Sequence, residues 1–144
     1  MLHCSFNTLL MRNFKLVLII SLILFSSKLN AQRVNNLVLL DSIFEYICEK
    51  KIQHSNIVMR QVILETGWLK SKFLMSKNNI FGFRHKKYLS FNSWKDCVDY
   101  YKNWQDKHYK DPNEDYYKFL LRKKYAVSNY ANNLKKINFN KSCE

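Results

Sequence analysis

Glycine occurs twice and proline once in the 144 residues, so little of the chain can be given to tight turns. That scarcity excludes collagen-like and linker-rich chains and most all-β designs, which need turn residues at short intervals. Acidic residues are also few: 11 Asp and Glu stand against 24 Lys and Arg. Metal-ligand spacing is missing. His54, His85 and His108 lack the i to i+4 interval of a helical pair and have no neighbouring Cys or carboxylate cluster, so no metal and no cofactor is expected. Neither a phosphate-binding loop nor a nucleophile elbow occurs. What is plentiful is aromatic: ten Phe, nine Tyr and three Trp, too many for a disordered basic tail. One mainly helical, strongly basic domain is expected.

The first thirty-one residues read as a secretory signal peptide. Arg12 and Lys15 make a positive start, Leu16 to Phe25 is apolar except for Ser21, and Leu29-Asn30-Ala31 ends on a small residue suited to cleavage. The apolar run is shorter than the roughly 20 residues of a spanning helix. Retention as an N-terminal anchor is the alternative. The expected division is therefore 1–31 as leader and 32–144 as the working domain, secreted or periplasmic, monomeric, and without a membrane span after cleavage. Loss of Arg12, Lys15 and Lys28 leaves a net charge of about +10, which draws the domain to an anionic polymer. Export disfavours nucleic acid as that partner. Lys86-Lys87, Arg122-Lys123-Lys124 and Lys135-Lys136 are scattered groups of the kind a solvated surface carries, without a basic–aromatic stripe. Cys48, Cys97 and Cys143 remain beyond the leader. Their odd number argues against a disulfide framework, one bridge is possible without the sequence choosing it, and all three read as non-catalytic.

Apolar residues at helical spacing predict a helix from Asn36 to about Lys51, carrying Leu37, Leu40, Ile43, Phe44, Ile47 and Cys48. Ser55 is the expected N-cap of a second helix that Gly67 stops. Trp68 to Asn79 reads as looser chain. Ile80–Arg84 and Tyr88–Phe91 read as two short strands of a small hairpin. Ser93 begins a third helix with Trp94, Cys97, Val98, Tyr101 and Trp104 on one side. Asp111-Pro112-Asn113-Glu114 resembles a capping box opening a fourth, and Ser128 or Asn129 begins the last.

One carboxylate stands out. Glu65 closes the apolar stretch Val62-Ile63-Leu64 and precedes Gly67-Trp68. Flanked by Leu64 and Trp68, it is placed for partial desolvation, which keeps a carboxyl protonated near neutrality, as a general acid for glycosidic cleavage requires. A solvated helix-end Glu, or one bonded to Gln61 a turn earlier, is the plainer alternative. The two glycines, Gly67 and Gly82, both lie beside aromatics, where positive φ or close approach of another group is needed, and together suggest a groove.

Gln61-Val62-Ile63-Leu64-Glu65-Thr66-Gly67-Trp68, Asn78-Asn79-Ile80-Phe81-Gly82 and Tyr125-Ala126 with Tyr130-Ala131-Asn132-Asn133-Leu134 resemble, in order, the three motifs of the glucosaminidase family of peptidoglycan hydrolases, also described as mannosyl-glycoprotein endo-β-N-acetylglucosaminidase-like. The resemblance spans Ser55 to Ile137. It implies a small lysozyme-like helical fold with one short β-hairpin and cleavage of the β-1,4 bond after N-acetylglucosamine in peptidoglycan glycan strands. It also implies Glu65 and Tyr125 as catalytic residues, and Trp68, Asn79 and Phe81 as groove-lining or groove-shaping ones; Tyr88 and Tyr130 join these as candidate substrate-binding residues. Two departures stand out. No Asp or Glu lies between Phe83 and Lys95, where fuller members sometimes offer a second acid, so a substrate-assisted route is favoured over inversion, with Tyr125 orienting the sugar's N-acetyl group. The link Ala126-Val127-Ser128-Asn129 is also one residue shorter than usual, and Lys123-Lys124 replace a glycine-containing approach to Tyr125. A non-catalytic cell-wall glycan-binding module is the rival reading.

Overall fold

The computed structural model describes residues 3–125 and 129–143. Its first helix, α1 (His3–Glu49), runs far upstream of the stretch expected from periodicity, because no glycine or proline occurs before Gly67 to break it. The chain divides into two compact units, Met1–Val38 and Leu39–Glu144. In the first, Val17 to Phe25 expose their apolar side chains. The segment Val17–Glu49 is long and apolar enough to cross a membrane by length and composition, a test that signal sequences also pass.

The second unit is built from the last turns of α1 and five shorter helices: α2 (Ser55–Thr66), α3 (Lys72–Ser76), α4 (Trp94–His108), α5 (Tyr116–Arg122) and α6 (Tyr130–Lys135). Leu40, Ile43, Phe44 and Ile47 form the buried stripe of α1. α2 is interior on most of its surface: Val58, Met59, Gln61, Val62, Ile63 and Thr66 are all buried. A helix enclosed in this way is the core element around which the others gather. α6 packs on both α2 and α5. Tyr101, Tyr116, Phe81 and Phe119 are the largest fully buried side chains, so much of the aromatic excess is core.

Several boundaries differ from expectation. α2 is preceded by His54 in the left-handed region (φ 55), with no side-chain cap from Ser55. α3 was not legible because it is one short turn, held by Ser71, whose hydroxyl accepts from the Leu74 N–H. Ser93 and Asp96 do form a capping box at α4. Asp111 instead closes a turn on Asn113, and α5 starts later, with Asp115 accepting from the Lys118 N–H. Asn129 precedes α6, whereas Ser128 and the link from Ala126 lie outside the described residues.

The expected hairpin is corrected to a folded-back loop: among the described residues only a single antiparallel bridge forms, Arg84 with Tyr88. Backbone bonds cross it from the Leu89 N–H to the Phe83 carbonyl and from the His85 N–H to the Lys87 carbonyl, and asparagine side chains add further bonds to the loop backbone. Asn79 Nδ2 donates to the carbonyls of Phe83 (2.8 Å) and Leu89 (2.9 Å), its Oδ1 accepts from the Phe83 N–H, and Asn78 Nδ2 donates to Phe91 and Asn92.

Cys48 and Cys143 form a disulfide, with Cα atoms 5.4 Å apart and a sequence separation of 95. Phe139 meets Phe44 edge to face, and Arg60 donates to the Phe139 carbonyl, so the segment after α6 is fastened to α1 and α2. Cys97 is free and buried, and burial pushes its thiol up to about 12.

Candidate active site

The last turn of α2 presents Glu65. Gly67 ends the helix in the left-handed region (φ 56), with its N–H directed to the carbonyls of Ile63 and Leu64. Trp68 and Leu69 continue in the same region (φ 61 each), a conformation that costs an L residue roughly 1–2 kcal/mol. Thr66 holds this turn: its hydroxyl donates to the Val62 carbonyl and accepts from the Leu69 N–H.

The two Glu65 oxygens have different surroundings. Oε1 accepts from the Tyr130 hydroxyl at 2.9 Å. Oε2 lies against Gly82: a Cβ added there would stand 2.7 Å from it and 3.3 Å from the carboxyl carbon. Burial is the dominant influence and raises the Glu65 pKa above the ordinary carboxylate range, with the Tyr130 hydrogen bond opposing it. No cation or second carboxylate among the described residues contributes to that shift. Asp96 caps α4, while Asp99 binds Lys50 and the Tyr46 hydroxyl.

The glycines thus answer two separate needs. Gly67 meets only the backbone requirement, since nothing lies within 4 Å of its added Cβ; Gly82 meets both, with φ 65 and a carboxylate oxygen at contact. Gly67→Ala is expected to lower stability by about 1–2 kcal/mol and leave the carboxyl in place. Gly82→Ala displaces it, with about a 10²-fold loss of kcat/KM expected. Thermal unfolding and steady-state kinetics on the pair check this contrast.

The other expected site residues fall into two groups. Trp68 and Tyr88 are 40% and 39% exposed, and Tyr88 meets the exposed Phe73 edge to face at 5.2 Å, so these rings are accessible to a ligand. Asn79 and Phe81 are enclosed and Tyr130 nearly so, which leaves them little surface for substrate contact. Asn79 ties the loop together, Phe81 packs on Tyr101 with ring centroids 4.2 Å apart, and Tyr130 touches the acid. The Tyr125 hydroxyl is enclosed and donates to the Phe81 carbonyl at 2.8 Å, bracing the loop that carries Gly82; enclosure drives its pKa well upward. The approach to it holds Lys124 in the left-handed region (φ 52), the conformation a glycine would take without strain.

Sequence reasoning offered Gln61 as a partner of Glu65 itself; the structure bonds it instead to the two tyrosines behind the acid. It donates through Nε2 to the Tyr130 oxygen (3.3 Å) and accepts through Oε1 from the Tyr101 hydroxyl (2.5 Å). Its position four residues before Glu65, on the same helix face, was the available signal. Among the described residues no group of His, Cys, Asp and Glu is arranged to hold a metal.

A partly buried acid at a helix end, backed by a tyrosine and faced by a glycine, matches the motif order read from the sequence. The family model described as mannosyl-glycoprotein endo-beta-N-acetylglucosaminidase matches residues 42–140. The chain belongs to the glucosaminidase family. Membership places it among glycoside hydrolases and implies a glycan substrate. The matched stretch of this glucosaminidase takes in Glu65, Gly82, Tyr125 and Tyr130. No curated protein and no solved structure matches the chain.

Proposed function

We propose that this glucosaminidase is an exported peptidoglycan hydrolase that cleaves the β-1,4 bond after N-acetylglucosamine, with Glu65 as general acid. The observation that carries the reading is the state of the Glu65 carboxyl: raised in pKa by burial, with one oxygen held by Tyr130. A group of this kind retains its proton for the leaving glycosidic oxygen. With no second carboxylate acting on Glu65 among the described residues, a substrate-assisted route is favoured. The sugar's N-acetyl oxygen attacks the anomeric carbon as Glu65 protonates the departing oxygen, giving a cyclic oxazolinium. Water then opens that ring, its proton passing to the Glu65 carboxylate and restoring the acid. Trp68 and Tyr88 offer exposed faces for sugar rings, and Tyr125 serves by bracing the Gly82 loop. The exposed apolar helix near the N-terminus suits a signal peptide, and the Cys48–Cys143 bond suits an oxidising compartment.

Residues 32–144 incubated with peptidoglycan are expected to release glycans with N-acetylglucosamine reducing ends, identified by mass spectrometry. Sedimentation with the wall and no new reducing ends would favour the binding-module reading instead. The acid is active while protonated, so kcat/KM is expected to hold through the ordinary carboxylate range and decline only as pH rises through the elevated Glu65 pKa. A decline within the ordinary range would remove Glu65 from the acid's role.

A further inference from the structure

Behind Glu65 a line of buried polar groups runs through the core from the far side of the domain. Gln105, on α4, makes two bonds to the backbone of Gln53: its Oε1 accepts from the Gln53 N–H and its Nε2 donates to the Gln53 carbonyl, both at 2.9 Å. That pairing admits one orientation of the amide. Nε2 therefore faces the Tyr116 oxygen, 2.8 Å away, as a donor. Among the described residues Tyr101, 2.8 Å away, is the one other partner of the Tyr116 oxygen, so the Tyr116 proton goes to Tyr101, and Tyr101 gives its own to Gln61 Oε1. Gln61 must then present Nε2 to Tyr130, which leaves the Tyr130 proton for Glu65 Oε1. Had Gln105 the opposite orientation, each bond would reverse, and Tyr130 would donate to Gln61 instead of the acid. Among the described residues no buried side-chain polar atom lacks a partner, so the line is complete.

We infer that Gln105, Tyr116, Tyr101 and Gln61 are positioning residues for the acid: anchored on the Gln53 backbone, they form a one-way file of donors that commits Glu65 Oε1 to accepting and leaves the transferable proton on Oε2, the oxygen facing Gly82. All four are buried away from solvent and act through Tyr130. The assignment of Oε2 as the proton carrier rests on the hydrolase reading; the direction of the file does not. Successive bonds in such a file polarise one another by about 10–30% each, so removing a distant member weakens the bond at its end.

The titratable groups near Glu65 are Tyr130 from α6 and Tyr125 from the loop before it, both raised by burial and by the neighbouring carboxyl. Loss of a donor to the carboxylate raises its pKa. The test is the Glu65 titration itself, followed by carbon-13 NMR of labelled carboxyl groups and assigned with Glu65→Gln, in the parent, Tyr130→Phe and Tyr101→Phe. Tyr130→Phe removes the bond and sets the largest upward shift. Tyr101→Phe, which does not touch Glu65, is expected to shift it upward by about 0.2–0.5 pH units. Tyr116→Phe cuts the file one link earlier and serves if Tyr101→Phe does not fold. A Glu65 titration unchanged in the folded upstream variant would overturn the inference and leave the file as satisfied core polarity. In parallel, the alkaline limb of kcat/KM should move upward with the NMR pKa. If the NMR shift occurs in a protein without hydrolytic activity, the file stands and the hydrolase reading falls.

Discussion

Glu65→Gln is expected to lower kcat/KM on peptidoglycan by about 10²–10⁴-fold, the range that a positioned general acid contributes. The substitution preserves shape and keeps an oxygen for the Tyr130 hydroxyl, so the architecture around the last turn of α2 is retained. What it removes is the proton. The same change has a stability signature of known sign. The folded pKa of Glu65 lies above its unfolded value, so the folded state binds more protons between the two, and stability falls as pH rises through that window. Below the unfolded value Glu65 is protonated in both states, and parent and variant are expected to unfold alike. Above the folded value the parent carries a desolvated carboxylate that the amide variant lacks, and Glu65→Gln is expected to be the more stable protein. Thermal unfolding across a pH series together with product analysis reads both effects. Retained activity in the amide variant, or a stability difference that shrinks as pH rises, contradicts the placement of an acid here.

Breaking the Cys48–Cys143 bond is expected to have the largest effect on stability. It closes a loop of 95 residues, for which chain entropy gives about 4–5 kcal/mol, and native disulfides in small exported domains contribute about 2–5 kcal/mol. The double variant Cys48→Ser, Cys143→Ser should therefore melt roughly 10–20 °C below the parent. A reductant should lower the parent to the same point and leave the double variant unmoved. Cys97 does not interfere with this comparison, because its thiol is buried and stays protonated. The bonded segment continues directly from α6, which carries Tyr130, so loss of activity with temperature is expected to precede global unfolding in the reduced protein. Parent melting that is indifferent to reductant contradicts the bond.

The helical class, the glycine stop at Gly67 and the close approach at Gly82 were legible because each follows from a local rule. Apolar spacing sets helix faces, and scarce glycines mark positions that a Cβ would spoil. The hairpin was misread for an equally local reason: the apolar clusters Ile80–Phe83 and Tyr88–Phe91 fit two short strands, but pairing among the described residues stops at one bridge, and Asn78 and Asn79 side chains hold much of the loop backbone, which no periodicity reveals. Tyr130 was legible as a motif residue, whereas its bond to Glu65 joins positions 65 residues apart and exists only once α6 lies on α2. The disulfide was open for the same reason, since three cysteines do not choose a pair until the end of α1 and the chain beyond α6 are brought together.

The left-handed turn from Gly67 to Leu69 bears on how a glycan would be received. Trp68 offers its ring to solvent while its backbone is fixed, through its own N–H to the Ile63 carbonyl and through the Thr66 bonds on either side. Ordering a mobile contact residue on binding consumes about 0.5–1.5 kcal/mol of affinity. Here the backbone that carries the indole is already ordered by folding, so that part of the ordering cost does not fall on binding. A sugar ring stacking on Trp68 would meet a ready-made shelf, and its affinity would depend on shape and orientation rather than on the protein's willingness to rearrange.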